Sequence, residues 1–126
     1  MSDGERSDPH PNESLAAEAY CYLTTTGRVT GLPRQIEIWF ALQGRRLYLL
    51  AGSRYKADWV RNLRKQLRVR VRIGATTFDA TATIVTDPDE DALARRLLIE
   101  KYEGGYAGSL TRWGRTALPV AIDLDA

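Results

Sequence analysis

The chain has one histidine, one cysteine and no long apolar run, and each scarcity removes a class of function. The histidine, His10, lies in MSDGERSDPHPN, a Pro-, Gly-, Ser- and charge-rich stretch, and residues 1–12 are expected to form a disordered tail. With no histidine beyond it, neither a Ser-His-Asp or Cys-His nucleophile nor an HExxH zinc site nor a histidine general base is expected. If the protein is an enzyme, a cofactor is the expected carrier of the chemistry. Cys21 has no second cysteine for an internal disulfide or a cysteine zinc site, and reads as a plain buried thiol. No apolar run approaches the roughly 20 residues that span a bilayer, and the N-terminus lacks the basic-then-apolar layout of a secretory signal. The expectation is a cytoplasmic protein without an integral membrane segment. Excess charge is missing too. The 18 Lys and Arg against 16 Asp and Glu leave a net charge of +2, which argues against a surface devoted to nucleic acid but allows a local basic site.

What remains is ordinary globular composition, 44% hydrophobic and 27% charged in 126 residues. Residues 13–126 are expected to form one domain, burying roughly two-thirds of the unfolded surface. A helix is expected over Glu13 to Ala19, and AYCYLTTT reads as the first strand. Ile36, Ile38 and Phe40 alternate with Gln35, Glu37 and Trp39, the period of a half-buried strand, and ALQGRRLYLLAG is expected to continue it through a Gln43-Gly44 hairpin turn. Asp58 is placed to cap a short helix from Trp59 to Gln66, with Trp59, Asn62 and Leu63 on one face. RVRVRI puts Val69, Val71 and Ile73 inward, and after a Gly74-Ala75 turn TFDATATIV alternates again. Asp87, Pro88 and Glu90 open a longer helix whose buried face includes Leu93, Leu97 and Leu98, ended by Gly104-Gly105. A glycine-bearing connection leads to LPVAIDL, with Val120, Ile122 and Leu124 inward. The fold expected is mainly β, a small barrel of about six mostly antiparallel strands with two or three flanking helices, because so many strands must close to hide their edges.

Between the first two strands lies TTTGRVTGLPR. Gly27 and Gly31 permit positive φ or close approach, Pro33 stiffens the exit, and Arg28 and Arg34 flank hydroxyls at Thr26 and Thr30. Exposed N–H groups, hydroxyls and guanidinium forks grip phosphate or carboxylate oxygens. The same residues also suit a hairpin with solvated arginines.

LTTTGRVTGLPR, then YLLAGS, DWVRNL and VRVRIG in that order, resembles the deazaflavin-dependent nitroreductase and quinone reductase family of the split β-barrel flavin-binding superfamily, over residues 20 to 124. The resemblance implies a split β-barrel, usually a homodimer, that binds reduced coenzyme F-420, an 8-hydroxy-5-deazaflavin with a phosphate and an oligoglutamate tail. It implies hydride transfer to a small electron-poor acceptor of quinone, nitroaromatic or enone type, with no catalytic side chain required. By position, Arg28, Thr30, Gly31, Pro33 and Arg34 would hold the acidic tail and phosphate. Gly52, Ser53 and Arg54 would line the deazaflavin, Trp59 and Asn62 would complete the pocket, and Trp39 would lie by the ring. The family's tyrosine-rich acceptor wall is represented loosely by Tyr102, Tyr106 and Trp113. Val29 stands where many relatives have lysine.

Other readings of these residues stand beside that one. Trp59 also suits a barrel-closing core aromatic, Asn62 a helix-to-loop hydrogen bond, and Glu37 a pairing with an arginine. The run of Arg61, Arg64, Lys65, Arg68, Arg70 and Arg72 would attract phosphates but lacks interleaved aromatics, so nucleic acid is not the expected partner. The same barrel holding FMN, or a non-catalytic deazaflavin or anionic-ligand binding protein, are the alternatives.

Overall fold

Strand alternation sets most of the architecture. In the computed structural model, which describes residues 12–103 and 110–125, the strands are β1 (Cys21–Thr26), β2 (Pro33–Ile38), β3 (Ala41–Gln43), β4 (Arg46–Ala51), β5 (Arg68–Ile73), β6 (Thr76–Ile84) and β7 (Leu118–Leu124). The helices are α1 (Asn12–Ala16), α2 (Asp58–Lys65), α3 (Pro88–Tyr102) and α4 (Thr111–Thr116). All seven strands join one antiparallel sheet in the order β2-β1-β5-β6-β7-β4-β3, curled into a half-barrel.

That order explains why seven strands stand where about six are expected. β2 and β3 follow one another in the chain but lie at opposite edges of the sheet. The apolar alternation runs unbroken from Ile36 through Phe40 because Phe40 is fully buried, yet Trp39 and Phe40 are the link across the seam, not strand. A side chain replaces the missing ladder there: Tyr102 Oη accepts from the Phe40 N–H at 3.0 Å and lies 2.8 Å from the Ala19 carbonyl and 3.0 Å from the Phe40 carbonyl. Lys101 Nζ donates to the same Phe40 carbonyl at 3.0 Å and sits 3.7 Å from the centre of the Phe40 ring.

Two cores lie on the two faces of the sheet. Inside the curl, Leu23, Leu47, Leu49, Val71, Ile73, Ile122 and the α2 residue Leu63 pack together. Outside it, Tyr48, Leu50 and Ala121 meet Ala94, Leu98 and Tyr102 of α3. Burial on both faces is why Leu47 to Ala51 and Leu118 to Ile122 are uninterrupted buried runs and not the simple alternation expected of LPVAIDL. On α3 the buried stripe is Ala94, Leu98 and Tyr102 at four-residue spacing, while Leu93 and Leu97 are half-buried.

Local signals mostly act as their chemistry requires. Asp87 accepts from the Glu90 N–H at 2.9 Å, while the Glu90 carboxylate turns away to Arg46 Nε at 2.6 Å and Tyr48 Oη at 2.7 Å. The Gly74-Ala75 turn joins β5 to β6 with Gly74 at φ 58°. Three local expectations need correction. Asp58 is the first helical residue of α2 and Ala57 the cap, because the Asp58 carboxylate turns to Arg28 Nη2 at 3.2 Å. The first helix ends at Ala16, before Ala19. The connection ahead of β7 contains α4, where Gly114 lets two helices touch: a Cβ there would lie 2.7 Å from Ile99 Cδ1. The expected Gly104-Gly105 stop lies outside the described residues.

Candidate functional site

The loop between β1 and β2 is tied to α2 by one buried amide. Asn62 is 4% exposed, and its Oδ1 accepts from the Arg28 backbone N–H at 3.1 Å and from Arg28 Nη1 at 2.9 Å. Its Nδ2 donates to Thr25 Oγ1 at 3.2 Å. These are the helix-to-loop hydrogen bonds, so Asn62 organises the loop from within. Thr25 went unnoticed in the sequence, although it shares the inward phase of Cys21 and Leu23, where a hydroxyl needs a partner.

Asn62 thereby orients Arg28. The guanidinium lies along the first turn of α2, with Nη1 also 3.4 Å from the Asp58 carbonyl and Nη2 3.2 Å from Asp58 Oδ1. Within the loop, the Gly31 N–H donates to the Gly27 carbonyl at 2.8 Å and the Gly27 N–H to the Leu32 carbonyl at 2.8 Å. Gly27 is required for closeness: a Cβ would stand 3.0 Å from both the Leu32 carbonyl and Thr30 Oγ1. Gly31 is required for conformation, at φ 75°. Thr30 Oγ1 accepts from the Leu32 N–H at 3.2 Å and lies 3.4 Å from Arg34 Nη2. Pro33, without an N–H, opens the edge strand β2, where no outer ladder asks for one.

Together these residues wall a groove of about 650 Å³, within the range of small-molecule sites. Arg28, Thr30, Pro33, Arg34, Trp59 and Asn62 line it, as do Gly27 and Asp58. Its unengaged donors are those an anion needs: Nε and one Nη2 hydrogen of Arg28, most of the exposed Arg34 fork, and the Val29 and Thr30 N–H groups, none of which has another partner among the described residues. Trp59 forms the apolar floor, half-buried against both the inner core and a small cluster of Ala51, Val60 and Leu118.

The other candidates gather elsewhere. Trp39 stacks on Tyr102, ring centres 4.2 Å apart and planes at 3°, and meets Trp113 edge-on at 5.7 Å. Gly52 borders this cluster, 3.7 Å from Trp113 Cδ1 as measured from its missing Cβ. Arg54, held at φ 53°, donates Nη1 to the Thr116 carbonyl at 2.6 Å, and the Ser53 carbonyl accepts the Lys56 N–H. Gly31 faces a smaller depression with Arg68 and Arg70. Tyr106 lies outside the described residues.

The cationic strand turns inward on itself: Arg68 pairs with Asp125 and Arg70 with Asp79, at 2.8 and 3.0 Å, while Arg72 lies 4.2 Å from the centre of the Tyr22 ring. Glu37 receives the Tyr22 hydroxyl at 3.4 Å.

Sequence reasoning also missed Lys101. Burial pulls its ammonium down to about 8, and burial pushes the neighbouring Cys21 thiol and Tyr102 hydroxyl each up to about 12.

Residues 6–125 match the family described as F-420H(2)-dependent quinone reductase. Among solved structures, the chain is similar to an F-420 reductase at 20% identity and TM-score 0.66, over 94% of this chain and 97% of that one. It is similar to the F-420-H2-dependent reductase FDR-A at 20% identity and TM-score 0.67, over 85% and 94%. The heme storage protein HutZ of Vibrio cholerae shares the fold at 17% identity and TM-score 0.68, over 97% and 92%. At these identities the solved structures speak for the fold, and the family match speaks for the chemistry.

Proposed function

The chain belongs to the F-420H(2)-dependent quinone reductase family, oxidoreductases that use coenzyme F-420, and on that premise we propose that the Arg28–Arg34 groove holds the coenzyme's phosphate and oligoglutamate tail. The acceptor in this reading is a small electron-poor molecule of quinone, nitroaromatic or enone type. One observation carries the assignment. Arg28 and Arg34, both with guanidinium donors left over, line one groove together with Val29 and the Thr30 hydroxyl, the kind of donor set that phosphate and carboxylates require. Gly27 supports the same fit, because a side chain there would press on Thr30 Oγ1 and Arg34 Nε and disturb the donors of the loop.

When bound, the coenzyme supplies the hydride, so the chain needs neither a nucleophile nor a histidine. What its residues do is bind and orient. Arg34 and Arg28 fix the anionic end, Trp59 gives the groove an apolar floor, and Asn62 keeps the loop in register with α2. Gly52, Ser53 and Arg54 are proposed to line the deazaflavin with Trp39 beside its ring, and Trp113, edge-on to Trp39, is on the proposed acceptor side. Val29 and Leu32, 88% and 57% exposed beside the open edge of β2, suit a homodimer contact. A cytoplasmic location belongs to the same proposal. Among the described residues no helix is long and apolar enough to cross a membrane.

Titration with coenzyme F-420 and, in parallel, FMN tests the reading by coenzyme fluorescence and Tm. At about a hundred times Kd a ligand adds roughly 2.7 kcal/mol, a shift of several degrees. Selective stabilisation by F-420 is expected, and stabilisation by FMN alone would overturn the assignment. Joint replacement Arg28→Ala and Arg34→Ala should weaken F-420 by about 2–4 kcal/mol. Unchanged affinity would remove the groove from the site.

A further inference from the structure

Asp58 stands where an anion would dock. Its carboxylate occupies Arg28 Nη2 at 3.2 Å, while both Nη1 hydrogens are taken by Asn62 Oδ1 and the Asp58 carbonyl, at 2.9 and 3.4 Å. The guanidinium is therefore anchored on one side by a buried amide and covered on the other by an exposed acid. The asymmetry in exposure is large: the Asp58 side chain is 83% exposed and Asn62 4%. An exposed carboxylate in an ion pair of this kind swings away at small cost, since such pairs are worth about 0–1 kcal/mol. Asn62 has no comparable freedom.

We propose that Asp58 is a built-in competitor for the groove, a resident carboxylate that holds Arg28 in its docking orientation when the groove is empty and is displaced by the incoming phosphate or carboxylate. The inference rests on the groove being the coenzyme's anion site. Displacement leaves Nη1 on Asn62 and frees Nη2 beside the unengaged Nε, which is the two-pronged edge that an oxyanion accepts from. The anion thus meets a guanidinium already oriented. In return, affinity is lowered by the acid it must expel and then sits beside. The groove combines two arginines with one acid, a balance that favours exchange over retention of a polyanion that must come and go with each turnover.

Asp58→Asn keeps the shape and removes the charge, and Glu100→Gln on α3 makes the same charge change in a residue facing Arg96, away from the groove. Affinity and dissociation rate are measured for coenzyme F-420, and affinity also for inorganic tripolyphosphate, a polyanion without a ring. Asp58→Asn should tighten both ligands about three- to fivefold, with slower coenzyme release, and Glu100→Gln should change neither by more than about 1.5-fold. A coenzyme affinity in Asp58→Asn equal to or weaker than wild type, with wild type binding F-420, overturns the competitor and leaves the coenzyme reading standing. Tightening of tripolyphosphate alone, with F-420 bound by neither protein, keeps the competitor and overturns the coenzyme reading. Equal tightening in Glu100→Gln would assign the effect to net charge and overturn the competitor.

Discussion

The groove and the seam are built from the same parts, a helix that offers polar side chains to an irregular stretch of chain, yet they differ in what is left over. At the seam, α3 presents Tyr102 and Lys101 to the Trp39–Phe40 link, and hydroxyl and ammonium both meet the Phe40 backbone. In the groove, α2 presents Asn62 to the Arg28 loop, and Asn62 and Thr25 are enclosed while Arg34 and part of Arg28 still face solvent with donors to give. Engaged polar groups hold the fold together, and unengaged ones are available to a ligand. By that measure Tyr102 is engaged in the architecture, and Asn62 positions the loop from within.

The largest effects are expected at the seam. Tyr102→Ala removes a buried aromatic and should cost about 3–5 kcal/mol in urea unfolding. Tyr102→Phe, which leaves the Phe40 N–H without its partner, should cost about 1–3 kcal/mol. In Tyr102→Phe the F-420 affinity should stay within about twofold of wild type, as for a site with no shared partner. A tenfold loss of affinity at unchanged stability would return Tyr102 to the binding site.

Asn62→Leu should affect both properties. It deprives the Arg28 N–H, the Arg28 guanidinium and the Thr25 hydroxyl of one shared partner, so a stability loss of about 2 kcal/mol and F-420 binding weakened about tenfold are expected. Loss of stability alone would show that Arg28 docks ligand without its anchor.

The smallest effect is on pH dependence. Lys101 has a folded-state pKa near 8, below its ordinary value of 10.5, so above pH 8 the unfolded chain holds the extra proton and stability rises. Cys21 and Tyr102, raised from 9.0 and 10.0 to about 12, work in the opposite direction from pH 9 upward. Urea unfolding should therefore show a shallow rise between pH 8 and 9 and a fall above pH 10. Lys101→Met should flatten the rise and leave the fall. A rise that persists in the variant would assign it to another group.

Short-range chemistry made much of this legible in advance. The Asp87-Pro88 start, the Gly74-Ala75 turn and the inward Val69, Val71 and Ile73 each depend on neighbours in sequence, and each forms. The groove lining was legible for a related reason: glycines, a proline and flanking arginines fall within the eight residues from Gly27 to Arg34, and α2 supplies Asp58, Trp59 and Asn62 to the same groove. The seam was not legible. Phe40 continues an apolar alternation that looks like strand, and only the meeting of Tyr102 with a residue 62 positions away shows that the chain leaves the sheet there.

By itself, then, the sequence determined most of the strands, the Asp87-Pro88 helix start and the glycine-, hydroxyl- and arginine-rich composition of the loop. These are properties of side-chain period, turn conformation and composition, which act over a few residues. Tertiary structure alone decided that β2 and β3 lie at opposite edges, that Asp58 faces Arg28 instead of capping its own helix, and that Lys101 loses its solvation beside Cys21. Each of those depends on which distant groups share one buried or crowded place, and hydrogen-bond partners and desolvation are fixed only when the chain has closed.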